Sequence, residues 1–98
     1  ADPARPAGGL HTLYVSPLKA LAVDIARNLT APVAEMGLPV RIETRTGDTP
    51  ANRRARQRSD PPDILLTTPE SLLLLLSLPE AVAMFRGLGA VVVDEIHA

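Results

Sequence analysis

Near its C-terminus the chain runs Ala90-Val91-Val92-Val93 straight into Asp94-Glu95. Four apolar residues without polar alternation suit a strand buried on both faces, as in a parallel α/β sheet. In open α/β sheets ligands bind outside the carboxyl ends of the strands, where this carboxylate pair falls. On local sequence two readings are open. The pair is an acidic cap on a following helix, or it is a metal site. In the second reading Asp94 holds Mg²⁺ through water, because that ion keeps much of its hydration shell. Glu95 then orients or deprotonates the water that attacks a γ-phosphate. His97 lies just beyond, either structural or hydrogen-bonded to a neighbouring loop.

The preceding chain alternates strand and helix. Residues 1–10, rich in Pro, Ala and Gly, read as a linker. Thr12 to Val15 reads as a strand, and Ser16-Pro17 as an N-cap followed by Pro at the first helical position. Leu18, Leu21, Ala22, Ile25 and Leu29 fall on one helical face, which Pro32 kinks or splits and Gly37 with Pro39 ends. Val40 to Thr44 alternates like a strand near an edge, Thr46 to Pro50 is a turn, and Ala51 to Arg58 is a short basic helix. Asp63 to Thr67 reads as a central strand, and Thr68-Pro69-Glu70 repeats the cap chemistry with an acid in the first turn. Leu72 to Leu76 is apolar all round, which predicts a helix that is buried or covered by a partner domain. Pro79-Glu80 opens a further helix through Phe85, ended by Gly87, before the last strand, Ala90 to Val93. This order predicts a parallel sheet with right-handed crossovers.

That topology brings the helix starts after Ser16 and Thr68 to the same sheet edge as Asp94. The first turn of a helix presents unpaired N–H groups suited to a phosphate. Two side by side would grip successive phosphates without reading bases, with Lys19 adding a charge; alternatively, both merely start helices. Arg53, Arg54, Arg56 and Arg58 face a phosphate backbone or, the reading favoured here, form a solvated helix face. Gly47-Asp48 is the kind of pair a tight turn demands. Net charge is −1, which decides nothing about a nucleic-acid partner. The 98 residues allow one domain, and the hydrophobic share of 46% suits a globular one. Without cysteine there is no disulfide or thiolate metal site. No apolar stretch reaches membrane-span length and residues 1–9 lack a signal-peptide core, so a cytoplasmic location is expected.

Taken in order, these segments resemble the first RecA-like domain of superfamily two helicases, and within it the large helicase-related (Lhr) family of ATP-dependent DNA helicases. Tyr14 to Leu21 resembles motif Ia and Thr67 to Leu72 motif Ib, both backbone contacts in the family. Thr46-Gly47-Asp48-Thr49 resembles the Gly-containing loop between them, and Val91 to His97 resembles motif II, the Walker B box. The resemblance spans residues 11–98 as a partial RecA-like domain, an α/β fold with helices flanking its parallel sheet. It implies ATP and Mg²⁺ as cofactors, Asp94 on the metal, Glu95 as the catalytic residue, and His97 linking the nucleotide site to a second RecA-like domain. It makes Ser16, Pro17, Lys19, Gly47, Asp48, Thr68, Pro69 and Glu70 the nucleic-acid contacts, DNA before RNA, with DNA repair as a setting. An RNA helicase relative, a non-enzymatic backbone-binding α/β module and a catalytically dead relative remain as alternatives.

The phosphate-cradling Gly-x-x-x-x-Gly-Lys-Ser/Thr loop is not in the sequence: Gly8-Gly9 is followed by Leu10, and the single lysine is Lys19. In the family that loop precedes motif Ia, whereas motif III, the second RecA-like domain and its arginine finger follow motif II. The expected fold is accordingly truncated at both ends, with exposed apolar surfaces and poor solubility in isolation. The 98-residue chain alone is expected neither to bind ATP usefully nor to unwind a duplex. ATP hydrolysis by the purified chain that survives Glu95→Gln would contradict this.

Overall fold

A computed structural model describes residues 9–94. Its strands are β1 (Thr12–Val15), β2 (Ile42–Arg45), β3 (Ile64–Thr67) and β4 (Ala90–Val93). Its helices are α1 (Lys19–Glu35), α2 (Ala51–Ser59), α3 (Pro69–Leu76) and α4 (Ala81–Phe85). The strands form one sheet in the order β2-β3-β1-β4, every neighbouring pair parallel. The expected parallel α/β architecture is therefore present.

Strand pleating sorts the core into two layers. Leu13 and Val15 of β1 and Leu65 of β3 point to one face, where they pack with Leu10, Leu75 and Met84. Leu66 points to the other and meets Ala22 and Ala26 of α1, with Tyr14, Ile25, Ile42 and Ile64 around it. Helices therefore lie on both faces. The small Ala22 and Ala26 let α1 approach the sheet closely. The apolar seam of α1 is rotated from the expected one, because Leu18 and Leu29 are exposed and Ala26 is buried. Leu10, assigned above to the linker, is fully buried in the core, so the domain begins earlier than the composition implied.

Pro32 sits inside α1 without ending it. The helix stops where Gly37 takes φ +66°, donating to the Ala34 carbonyl while Leu38 donates to Val33. That is a Schellman closure with glycine at its left-handed position. The start of α1 departs from expectation. Its N-cap is Leu18, with no side-chain cap, and the helix begins at Lys19. The Ser16 hydroxyl instead bonds the Leu18 N–H and carbonyl, so Ser16-Pro17 makes a turn ahead of the helix.

The β4 strand departs more. It is an edge strand, and Val91, Val92 and Val93 are 55%, 44% and 63% exposed rather than buried on both faces. The described helices leave both of its faces open. In α3, Leu75 is fully buried and Leu72 half-buried, whereas Leu73, Leu74 and Leu76 are exposed. The opposite edge is closed by side chains: buried Gln57 of α2 donates to the Thr44 carbonyl (3.0 Å) and to Glu43 (3.1 Å). An edge strand covered in this way offers fewer unpaired groups to another chain.

Thr68 caps α3 as expected, accepting from the Ser71 N–H with Pro69 in the first turn. Removing a cap of this kind costs about 1 kcal/mol, so Thr68→Ala is expected to lower the melting temperature by roughly 4–8 °C. Thr68→Ser should restore most of the loss in the same calorimetric scans.

Candidate functional site

Parallel register sets the site. Val15 is opposite Thr67 on one side and Val93 on the other, so Ser16, Thr68 and Asp94 leave the sheet side by side. Two ladder bonds continue past the strand ends: Ser16 N–H to the Thr67 carbonyl and Asp94 N–H to the Val15 carbonyl, both 2.9 Å. Arg45 is opposite Thr67, which brings the loop starting at Thr46 to the same edge.

Three segments far apart in sequence meet there. Pro17, Lys19, Gly47, Thr68, Pro69 and Glu70 line one cleft of about 380 Å³. Of the nucleic-acid contacts read from sequence, these six share the cleft. Ser16 does not: it is fully buried and its hydroxyl is turned to Leu18, so it shapes the turn rather than facing a ligand. Asp48 lies alongside, in a second cleft with Lys19, Asp24 and Arg53. Lys19 borders both, and its Nζ is 2.6 Å from an Asp48 carboxylate oxygen.

The loop carrying Gly47 and Asp48 is held from within and from below. Thr46 N–H donates to Thr49 Oγ1, Asp48 N–H to Thr46 Oγ1, and Thr49 N–H to the Thr46 carbonyl. Arg54 Nη2 donates to the carbonyls of Thr46 (2.8 Å) and Gly47 (3.1 Å). The basic helix is thus only partly the solvated face expected. Arg53 and Arg56 are exposed, but Arg54 clamps the loop. Arg45, 95% buried, donates to the Arg54 carbonyl and to Gln57. Burial, with Arg58 and Arg54 nearby, depresses its pKa below the usual guanidinium value. Neither Arg54 nor Arg45 was identifiable from sequence: nothing in a run of arginines says which one turns inward, and an arginine closing a strand reads as exposed.

Asp94 is half-buried, and Tyr14 Oη donates to its Oδ2 at 3.0 Å. The pleat puts Tyr14 and residue 94 on the same face of neighbouring strands, a signal that was available once β1 and β4 were paired. Burial, then the Asp94 hydrogen bond and charge, raise the Tyr14 pKa above its ordinary value. Among the described residues no group of three or more His, Cys, Asp or Glu side chains could cage a metal. A lone carboxylate fits Mg²⁺, which is commonly held by one or two carboxylates, water and substrate phosphates. Glu95 and His97 lie outside the described residues.

Comparison with known proteins adds family context. The DEAD/DEAH box helicase family model matches residues 4–98. The chain is 50% identical to the Lhr helicase/probable uracil glycosylase of Mycolicibacterium smegmatis, covering 100% of this chain and 7% of that protein. It is 45% identical to the Escherichia coli Lhr helicase/uracil glycosylase, over 88% of this chain and 6% of the relative. The structure of Mycobacterium smegmatis helicase Lhr bound to ssDNA and AMP-PNP superposes with a TM-score of 0.78 at 45% identity, covering 97% of this chain and 13% of that one. The DUF1998 helicase MrfA bound to DNA and AMPPNP gives 0.77 at 33% identity, over 88% and 12% of the two chains.

Tyr14 is the single tyrosine and there is no tryptophan, so phenolate absorbance reports this residue alone. Its contribution to stability is fully present below the ordinary value of 10.0 and is lost as pH rises through the raised value, because the folded state keeps a proton that the unfolded chain releases. A spectrophotometric titration is expected to place ionisation above that of the unfolded chain. Asp94→Asn should lower it only part of the way, since burial is the larger cause. An unchanged titration would show that the Tyr14–Asp94 contact is absent in solution.

Proposed function

The chain belongs to the DEAD/DEAH box helicase family, and on that premise we propose that its protein is an ATP-dependent helicase of the Lhr type. It hydrolyses ATP to move along nucleic acid and unwind it, in the cytoplasm; no described helix is long and apolar enough to cross a membrane. The observation that carries this reading is the meeting of Pro17, Lys19, Gly47, Thr68, Pro69 and Glu70 in one cleft, on the sheet edge that ends in Asp94.

The work divides along that edge. The first turns of α1 and α3 and the Lys19 ammonium take phosphates of one strand, holding the backbone without reading bases. Gly47 lets the backbone approach closely, while Thr68, Pro69 and Glu70 shape the far wall. DNA is favoured over RNA because the two solved relatives described above were captured on DNA. At the end of β4, Asp94 would hold Mg²⁺ through a water molecule, its orientation fixed by Tyr14. Bound ATP would supply the phosphoryl group, and Mg²⁺ held by Asp94 would neutralise its charge. Glu95 orients the attacking water and accepts its proton, a role generally worth roughly 10²–10⁴-fold in rate. His97 relays the state of this site to a second RecA-like domain.

Backbone binding has a measurable signature. Affinity for single-stranded oligonucleotides is expected to be insensitive to base sequence and to fall with salt. Lys19→Gln should weaken it and flatten the log–log salt slope by about 0.7, the value for one phosphate contact on a single strand. Binding that depends on base sequence, or a slope unchanged by Lys19→Gln, would be incompatible with the proposal.

A further inference from the structure

Lys19 stands on the wall between two clefts and is committed to one of them. Its ammonium meets Asp48 Oδ2 at 2.6 Å, while the residue also borders the cleft of Pro17, Gly47, Thr68 and Pro69. Other carboxylates border these clefts too, Glu70 in the first and Asp24 in the second, but the recorded ion pair of Lys19 is with Asp48.

The two partners differ in freedom. Lys19 carries its charge on a flexible four-carbon stem. Asp48 has a short side chain on a backbone pinned at several points. Its own N–H is bonded to Thr46 Oγ1, the turn is closed by Thr49, and Arg54 holds the carbonyls of Thr46 and Gly47. Arg54 is in turn fixed by α2, whose carbonyl at that residue accepts from buried Arg45. The carboxylate therefore has a short reach from a fixed backbone, while the ammonium can swing. Both side chains are largely solvent-exposed, 52% for Lys19 and 74% for Asp48, so exchanging one anionic partner for another needs no unfolding and has a small cost.

We propose that Asp48 is a built-in competitor for the phosphate at Lys19: it holds the ammonium when no strand is bound and yields it when a backbone phosphate enters the cleft. This rests on the backbone-binding reading above and refines it, since it turns Asp48 from a contact of the strand into a rival of it. A competitor at this position loosens the grip on each phosphate, which favours release and re-binding over tight static binding. An exposed pair of this type corresponds to no more than about a fivefold effect on affinity.

A double-mutant cycle on the protein tests this, with a single-stranded oligonucleotide of uniform base as the probe. Asp48→Asn is expected to tighten binding by about two- to fivefold at low salt. In a Lys19→Gln background the same substitution should change affinity by less than about 1.5-fold, because the interaction it relieves is gone. Asp48→Asn keeps the backbone N–H that bonds Thr46, and matched melting curves for all four proteins would verify that the loop is intact. An equal gain in both backgrounds would mean that Asp48 repels the strand at large, and would overturn the proposal. So would weaker binding by Asp48→Asn, the result if its carboxylate contacts the strand or presents Lys19 to it. The backbone-binding reading fails separately, if the unsubstituted protein shows no salt-dependent binding or if Lys19→Gln leaves it unchanged.

Discussion

The parallel alignment of Val15 with Thr67 and Val93 is the constraint on which the rest depends. Parallel strands need crossover helices, because each chain segment must return to the starting end before pairing again. That requirement places every strand exit of this sheet at one edge and every return along its faces. Ser16, Thr68 and Asp94 become neighbours although 78 positions separate the first from the last. A one-residue slip of β4 would do more than shift Asp94. It would turn the carboxylate to the opposite face, away from Tyr14, since side chains alternate with period two.

The edge is built from two kinds of support. Beneath Gly47 and Asp48 lies a polar scaffold in which Arg54 and Gln57 satisfy carbonyl groups at the end of β2 and the start of the loop, while Arg45 donates to the Arg54 carbonyl within α2. Glu43 belongs to the same scaffold. Burial would raise its pKa, but hydrogen bonds from Gln57 and Arg41 and the charge of Arg56 outweigh burial, so its carboxyl lies below the ordinary value. Beneath Thr68 the support is a helix cap and an apolar anchor, Leu75, in the core. The polar scaffold explains how a Gly-containing loop keeps one shape, and the anchored helix explains why α3 begins where it does.

Much of this was legible in the sequence, for reasons that differ by segment. The strands β1 and β4 were bounded correctly because short apolar runs end at abrupt polar or Pro signals. Thr68-Pro69 was read correctly as a cap because the Ser71 N–H lies within its reach three residues on. Ser16-Pro17 has the same local chemistry but a different outcome, since the Ser16 hydroxyl is buried and bonded to Leu18. Single-residue cap chemistry could not separate the two. The exposure of β4 was also illegible. An apolar strand records that its faces suit burial, but not which segment provides the cover. Arg54 and Tyr14 act across elements, and a reading along one chain has no access to such contacts until the pairing of strands is known.

The two edges of the sheet are consequently unequal, and the inequality bears on Asp94. On the β2 side, Gln57 and the arginines of α2 occupy the edge and hold the adjoining loop. On the β4 side, Val91, Val92 and Val93 stand open. Among the described residues, Asp94 is therefore oriented from one direction, by the Val15 carbonyl that holds its N–H and the Tyr14 hydroxyl on its Oδ2. Both restraints come from β1, the strand that also delivers Pro17 and Lys19 to the nucleic-acid cleft. A displacement of β1 relative to its neighbours would move the carboxylate and the phosphate contacts together. One four-residue strand is thus the shortest physical link between the candidate nucleotide site and the candidate strand-binding cleft.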